Sequence, residues 1–334
     1  MHNMNSFKGI LLLHFLLLSV CTLVAQTTGQ KFDIVVAADG SGRFRTIQEA
    51  INASPDNQTG RTVIFVKKGV YKEKVVVAAS KKNLTFIGED LMKTIITYDD
   101  YSPRVVGKDT IKTNTSFSFA INADGFIAEN ITFENSAGNV GQAVAVRIIS
   151  DRVIFRNCRF IGNQDTLLAN GTGRVYFSNC YIEGTTDFIF GSAIALFEDC
   201  RILSKKNSFV TAASTPQGNQ YGYVFKNCTL TADSAVTLVY LGRPWRPYAK
   251  VVYIDCWLGK HIRAEGWDNW RNAVNEKTAY YAEYKSKGPG ANPADRVAWS
   301  HQLTDEEVKI YSTALIFGKT AGSVPYSDNW LPAK

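Results

Sequence analysis

The chain has 334 residues, of which 45% are hydrophobic and 20% charged, and it carries a formal net charge of +7. That balance excludes a disordered chain and supplies apolar material for one long core. Excess positive charge suits a polyanion, either nucleic acid or an acidic polysaccharide, but no Lys/Arg run of five or more supports nucleic-acid binding.

Lys8 precedes an apolar stretch from Ile10 to Ala25, interrupted only by His14, Ser19 and Thr22. It is short for a membrane span and reads as a secretory signal peptide, residues 1–25, cleaved before Gln26. Leu18 to Cys21 resembles a lipoprotein box only faintly, because Val20 is a poor residue before the cysteine. Losing Lys8 with the leader lowers the formal charge from +7 to +6. No second apolar run follows, so the expectation is a secreted, soluble chain with no membrane span. Residues 26–334 contain no linker and read as a single domain, expected to be a monomer.

Phe44, Ile47, Ala50 and Ile51 have helical spacing and predict an N-terminal cap. A repeat follows. Asn157-Cys158, Asn179-Cys180, Asp199-Cys200, Asn227-Cys228 and Asp255-Cys256 each sit between apolar or aromatic residues. Asn130-Ile131-Thr132-Phe133 and Asn83-Leu84-Thr85-Phe86 read as earlier copies with an aliphatic residue in place of the cysteine. From Asn130 onward the Asn/Asp positions recur every 20–28 residues, and the gap of 47 before Asn130 has room for two turns. Short β-branched and aromatic segments at this period predict an all-β solenoid, a right-handed parallel β-helix with short capping helices. The cysteines then point inward as small hydrophobes, although adjacent rungs are within disulfide reach, Cys180–Cys200 being the pair to test. Residues 268–300 read as a tail packed on the coil. Thr304 to Glu307 forms a capping box opening a short helix to Tyr311.

Neither CxxC nor a Cys/His cluster occurs, so no metal and no cofactor is expected. Only His261 and His301 remain after the leader, and no GxSxG elbow accompanies them.

The repeat also serves as a ruler. Asn157 and Asn179 are 22 residues apart, as are Asp165 and Asp187, and Gln142 and Gln164. The aspartates therefore stack on adjacent turns at about 5 Å, with the glutamines beside them. Two carboxylates so close cannot both ionise freely, which leaves one charged and one proton donor. Two amides alongside can stabilise an oxyanion.

Gln142-Ala-Val-Ala-Val146, Gln164-Asp-Thr-Leu167, Gly184-Thr-Thr-Asp-Phe-Ile-Phe-Gly191, Leu241-Gly-Arg-Pro-Trp245 and Gly69-Val-Tyr-Lys-Glu73 resemble, in order, the signature segments of the pectinesterase (pectin methylesterase) family of carbohydrate esterases. The resemblance runs from about Phe32 to about Gly318. It implies that Asp187 is the nucleophile attacking a galacturonate methyl ester of pectin, with an acyl-enzyme intermediate, and that Asp165 is the acid and then the base. It also implies that Gln142, helped by Gln164, stabilises the oxyanion and that Arg243 orients Asp187. Trp245, Thr113, Phe119, Phe190 and Trp267 align with substrate-binding positions, although both phenylalanines read equally well as core residues. Leu168 stands where the family often has Tyr, which removes one sugar-contacting ring, and Ala264 replaces a proline. No inhibitor-like pro-region is read before the domain.

Two rivals remain at this stage. A polygalacturonase or pectate lyase would need carboxylates flanking a glycosidic bond or a calcium-binding acidic cluster. A non-catalytic carbohydrate-binding solenoid would keep the aromatics and lose the Asp pair or Arg243.

Overall fold

A computed structural model describes residues 32–318 together with Asp328 and Trp330; the segment read as a leader lies outside the described residues. The chain winds through three parallel sheets of 11, 8 and 7 strands, each turn contributing a strand to each sheet in the middle of the coil. One such turn runs through Val153–Arg156, Arg159–Ile161 and Leu167–Ala169, and the next through Arg174–Ser178, Tyr181–Gly184 and Ile189–Gly191. Phe155 pairs with Phe177, Phe160 with Ile182 and Leu167 with Ile189. This is the parallel β-helix expected from the repeat.

The Asn/Asp of each repeat is there for its backbone. Asn130, Asn157, Asn179, Asp199, Asn227 and Asp255 all have φ between +48 and +58°. They turn the chain from the first sheet into the second through the left-handed region, which Asn and Asp tolerate better than other non-glycine residues. Asn157 Nδ2 donates to Asn130 Oδ1 at 2.6 Å and Asn179 Nδ2 to Asn157 Oδ1 at 3.5 Å, so the corner carries an amide ladder. The next residue in each of the five later repeats is an inward cysteine. Cys158, Cys180, Cys200, Cys228 and Cys256 are all buried and all free, so no Cys180–Cys200 disulfide forms. Each Sγ instead lies against carbonyl oxygens, as Cys180 does with Ser178 at 3.4 Å and Phe155 at 3.6 Å. Burial pushes the Cys158 thiol up to about 12. Beside them Phe155, Phe177, Phe197, Phe225 and Tyr253 stack face to face, with centroids 4.4–5.2 Å apart. Offset stacking of this kind adds to the area each ring buries.

The earliest repeat departs from expectation. Asn83 also has positive φ, but it opens a first-sheet strand, Leu84–Gly88, instead of closing one. Ile127 pairs with Thr85 and Glu129 with Ile87, so the residue equivalent to Asn130 is Gly88. A Cβ on Gly88 would collide with the Asn130 carbonyl. The stretch to Asn130 holds one turn, not two, because Leu84–Gly88 and Ile127–Glu129 are neighbours in the sheet. Its extra residues form a hairpin, Arg104–Val106 with Asp109–Ile111, and the 3-10 turn Thr113–Thr115.

Both ends are closed. The helix Ile47–Ala53 buries Ile47, Ala50 and Ile51, and Thr46 and Glu49 form its capping box. Phe44 precedes the helix and bridges to Val36. Residues 268–300 are not simply a tail, because Tyr280–Tyr284 adds another strand beside Lys250–Ile254. Its Glu283 falls in register with Tyr253, at the end of the aromatic column, where Arg296 Nε donates to Glu283 Oε1 at 2.6 Å. Thr304 and Glu307 do make the reciprocal bonds of a capping box, but the segment they open, Glu307–Tyr311, is 3-10. The helix that packs on the first sheet is Thr313–Phe317.

Candidate active site

The ruler places the two aspartates correctly. Leu167 pairs with Ile189, so Asp165 and Asp187, each two residues earlier, hold the same position on adjacent turns. Both are left-handed, with φ of +65 and +51°, at the corner between the second and third sheets. Their amides are anchored: Asp165 N–H donates to the Thr186 carbonyl at 3.1 Å and Asp187 N–H to the Phe209 carbonyl at 2.9 Å. Gln142 and Gln164 form a parallel bridge, with Ala143 N–H donating to the Gln164 carbonyl at 3.0 Å.

Arg243 comes from the third-sheet strand Tyr240–Pro244. Leu168, Phe190, Ala212 and Arg243 are successive register partners, so they form one outward row. The row floors a cleft of about 600 Å³, into which Gln142, Gln164, Asp165 and Asp187 also project. Arg243 Nε and Nη2 donate to the two Asp187 carboxylate oxygens at 3.0 and 2.7 Å, a bidentate fork.

The two carboxyls differ in surroundings. Asp165 and Asp187 are 8% and 6% exposed, so burial pushes both upward from the usual carboxylate range. Asp165 rises furthest, because the charge on Asp187 adds to its burial. At Asp187 the hydrogen-bonded Arg243 opposes the rise. Asp187 is therefore the member that ionises first and Asp165 the one that keeps its proton.

Other expected residues divide. Thr113, Phe190 and Trp245 line the cleft. Phe119 does not: it is fully buried in the central core against Phe86, Phe126 and Phe133. Its register partner Val146 also faces inward, and the residue facing out is Ala120. Phe117, two residues earlier, packs with Leu168, Phe190 and Trp245 behind the cleft. Trp267 is likewise core, 1% exposed between Tyr253 and Tyr281 near the end of the coil. A second tryptophan that reaches the cleft, besides Trp245, is Trp270. A bulky residue at φ of +61° is uncommon. Its N–H donates to Asp268 Oδ1 at 2.7 Å, which holds the turn. Its only sequence signal is its place three residues beyond Trp267, since alternation along a strand says nothing about a loop residue. Leu168 lies on the cleft floor, as its place after the QDTL segment implies.

Neither His261 nor His301 lines the cleft. His261 is buried, which pushes its imidazole down to about 4, and His301 is exposed on the last strand of the first sheet. Among the described residues no helix is long and apolar enough to cross a membrane, and no group of three or more His, Cys, Asp or Glu is placed to hold a metal ion.

A buried carboxylate pair with an arginine fork on one member and amides beside it, set in an open cleft, suits acyl transfer. The family profile for pectinesterases matches residues 33–319. The chain belongs to the pectinesterase family. It is 42% identical over 282 residues to Pectinesterase 31 of Arabidopsis thaliana, covering 81% of this chain and 88% of that one. It is 38% identical to putative pectinesterase/pectinesterase inhibitor 28 of the same plant, but there the match covers 91% of this chain and only 42% of the relative. Among solved structures, the carrot pectin methylesterase superposes with a TM-score of 0.81 at 35% identity, over 86% of this chain and 93% of that one. A pectin methylesterase in complex with a hexasaccharide gives 0.76 at 27% identity, over 89% of this chain and 100% of that one. Membership makes this pectinesterase a carboxylic ester hydrolase and removes the glycosidase, lyase and binding-solenoid alternatives.

Proposed function

We propose that the protein hydrolyses the methyl esters of galacturonate units in pectin, releasing methanol and leaving pectate. In this reading Asp187 attacks the ester carbonyl, and the Gln142 and Gln164 amides donate to the oxyanion that forms. Asp165 gives its proton to the departing methoxide. It then takes a proton from the water that opens the acyl-enzyme, which restores Asp187 as a carboxylate and frees the product acid. Arg243 keeps Asp187 charged and aims its oxygens. The observation that carries the reading is the asymmetry of the pair: two buried carboxyls in one register position, of which only Asp187 is forked by an arginine. Trp245, Phe190 and Trp270 offer apolar surface to sugar rings, and Thr113 a hydroxyl, along the same cleft.

The formal charge of +7 suits a polyanionic polymer, so binding to pectin weakens as salt screens exposed charges within about 8 Å at physiological ionic strength. Residues 1–25 direct export, and the mature enzyme acts outside the cell as a monomer. Methanol release from highly methylated pectin, compared between the natural chain and Asp187→Asn, tests the assignment. The substitution removes the nucleophile while keeping its shape, so release stops. Wild-type release from the folded variant would replace the covalent route with direct attack by water.

A further inference from the structure

Arg243 makes its fork at one edge of its guanidinium, but both faces of that plane are also occupied. The Trp270 ring centroid lies 3.7 Å from the guanidinium carbon, and the Phe209 centroid 3.8 Å from it. Phe209 in turn stacks on Tyr240, with centroids 5.3 Å apart and planes inclined by 11°. Tyr240 carries a second guanidinium, Arg263, at 4.8 Å. Register explains part of the column. Phe209 and Tyr240 are direct partners on neighbouring third-sheet strands, which accounts for their stack, while the Arg243 guanidinium lies across Phe209 from a position one rung over, opposite Ala212.

We infer that Phe209 is a positioning residue for the esterase reaction: with Trp270 it clamps the Arg243 guanidinium so that its fork meets the Asp187 carboxylate. The inference rests on Asp187 being the nucleophile. A guanidinium between two rings is fixed in its plane while its edge N–H groups stay free for a carboxylate. Without one ring the fork can rock about the long Arg side chain. Asp187 then loses part of the interaction that opposes its burial.

The two rings can be told apart. Trp270 lines the cleft and Phe209 does not, so only Trp270 is placed to touch substrate. Phe209 meets Asp187 in a second way, through the carbonyl that accepts the Asp187 N–H at 2.9 Å. That bond belongs to the main chain and survives a change of side chain. The loss expected from replacing the Phe209 ring is therefore that of the clamp.

The test is a kinetic comparison of Phe209→Leu, Phe209→Tyr and Asp187→Ala on methylated pectin, with thermal unfolding of each. Phe209→Leu keeps apolar bulk and loses the ring. Its kcat falls about 3- to 30-fold, the range implied by a cation–π contact of about 0.7–2 kcal/mol, while KM stays near wild type. The acid limb of its kcat/KM profile moves to higher pH, because Asp187 then needs a higher pH to ionise. Phe209→Tyr keeps the ring and restores both kcat and the limb. An unchanged kcat and profile in Phe209→Leu would overturn the inference, and so would a Phe209→Tyr as defective as Phe209→Leu. A loss of activity matched by a loss of folded protein at assay temperature, with no shift of the limb, would also overturn it. An active, folded Asp187→Ala would instead overturn the nucleophile assignment on which the inference rests.

Discussion

The coil uses one backbone device at two corners to different ends. Between the first and second sheets, Asn157, Asn179 and Asp199 turn the chain with φ near +50°; between the second and third, Asp165 and Asp187 do the same at +65 and +51°. At the first corner the side chains bond one another or face solvent, Asn179 and Asp199 being exposed. At the second they are buried, with a guanidinium on one of them. A left-handed Asp is thus an ordinary corner residue of this fold. In the proposed mechanism, reactivity comes from what the third sheet places opposite it, Arg243 and the floor of a cleft, and from the loss of water.

The largest test of that contrast pairs Asp187→Ala with Asp199→Ala. Both put alanine at positive φ and carry similar backbone strain, yet methanol release is abolished in the first and stays near wild type in the second. An inactive but folded Asp199→Ala would break the comparison. Within the reactive corner, Asp165→Asn still permits attack but leaves methoxide unprotonated. Its kcat falls by about 10²- to 10⁴-fold, measured as steady-state methanol release. Gln142→Ala lowers kcat by about 10²- to 10³-fold through lost oxyanion stabilisation. At the structural corner, Asn179→Ala lowers unfolding stability by about 1–2 kcal/mol in a denaturant titration, because alanine in the left-handed region lacks the local side-chain hydrogen bonds that let Asn sit there, with kcat unchanged.

The smallest effect is a pH dependence of stability. The folded-state pKa of Asp165 is raised above the ordinary value of 3.8, so its contribution to stability is complete below that value and is lost as pH rises through the folded pKa. Asp165→Asn cannot ionise there. Its stability relative to wild type therefore grows as pH rises above about 3.8, as read from denaturation midpoints across a pH series. A difference that stays flat with pH would mean that Asp165 carries no buried proton.

Much of this was legible because a solenoid repeats. Spacing of 22 residues between like positions locates the Asp and Gln pairs in the sequence itself, since each strand pairs with its own equivalent one turn later. The same ruler failed at Asn83, where the residue type recurs at a different corner: asparagine marks left-handed backbone, not one particular bend. Phe119 and Trp267 followed motif position into the cleft, whereas the structure puts both in the core. Which of two neighbouring residues faces inward depends on the register fixed by adjacent strands, and Trp267 sits where the coil closes on itself. Trp270 and Phe209 left little trace in the sequence. Their role lies in the two faces of a guanidinium contributed by a third segment, a relation that no single-strand pattern encodes.

The cysteine column gives the coil a built-in set of unzipping reporters. The five thiols occupy consecutive rungs and are at most 1% exposed, so an alkylating reagent reaches each only when its own rung opens. Peptide mapping after brief labelling in mild denaturant would therefore read the coil as a sequence of openings, rung by rung. It would report whether fraying starts beside Cys256, under the Glu283–Arg296 plug, or travels from the N-terminal cap towards Cys158.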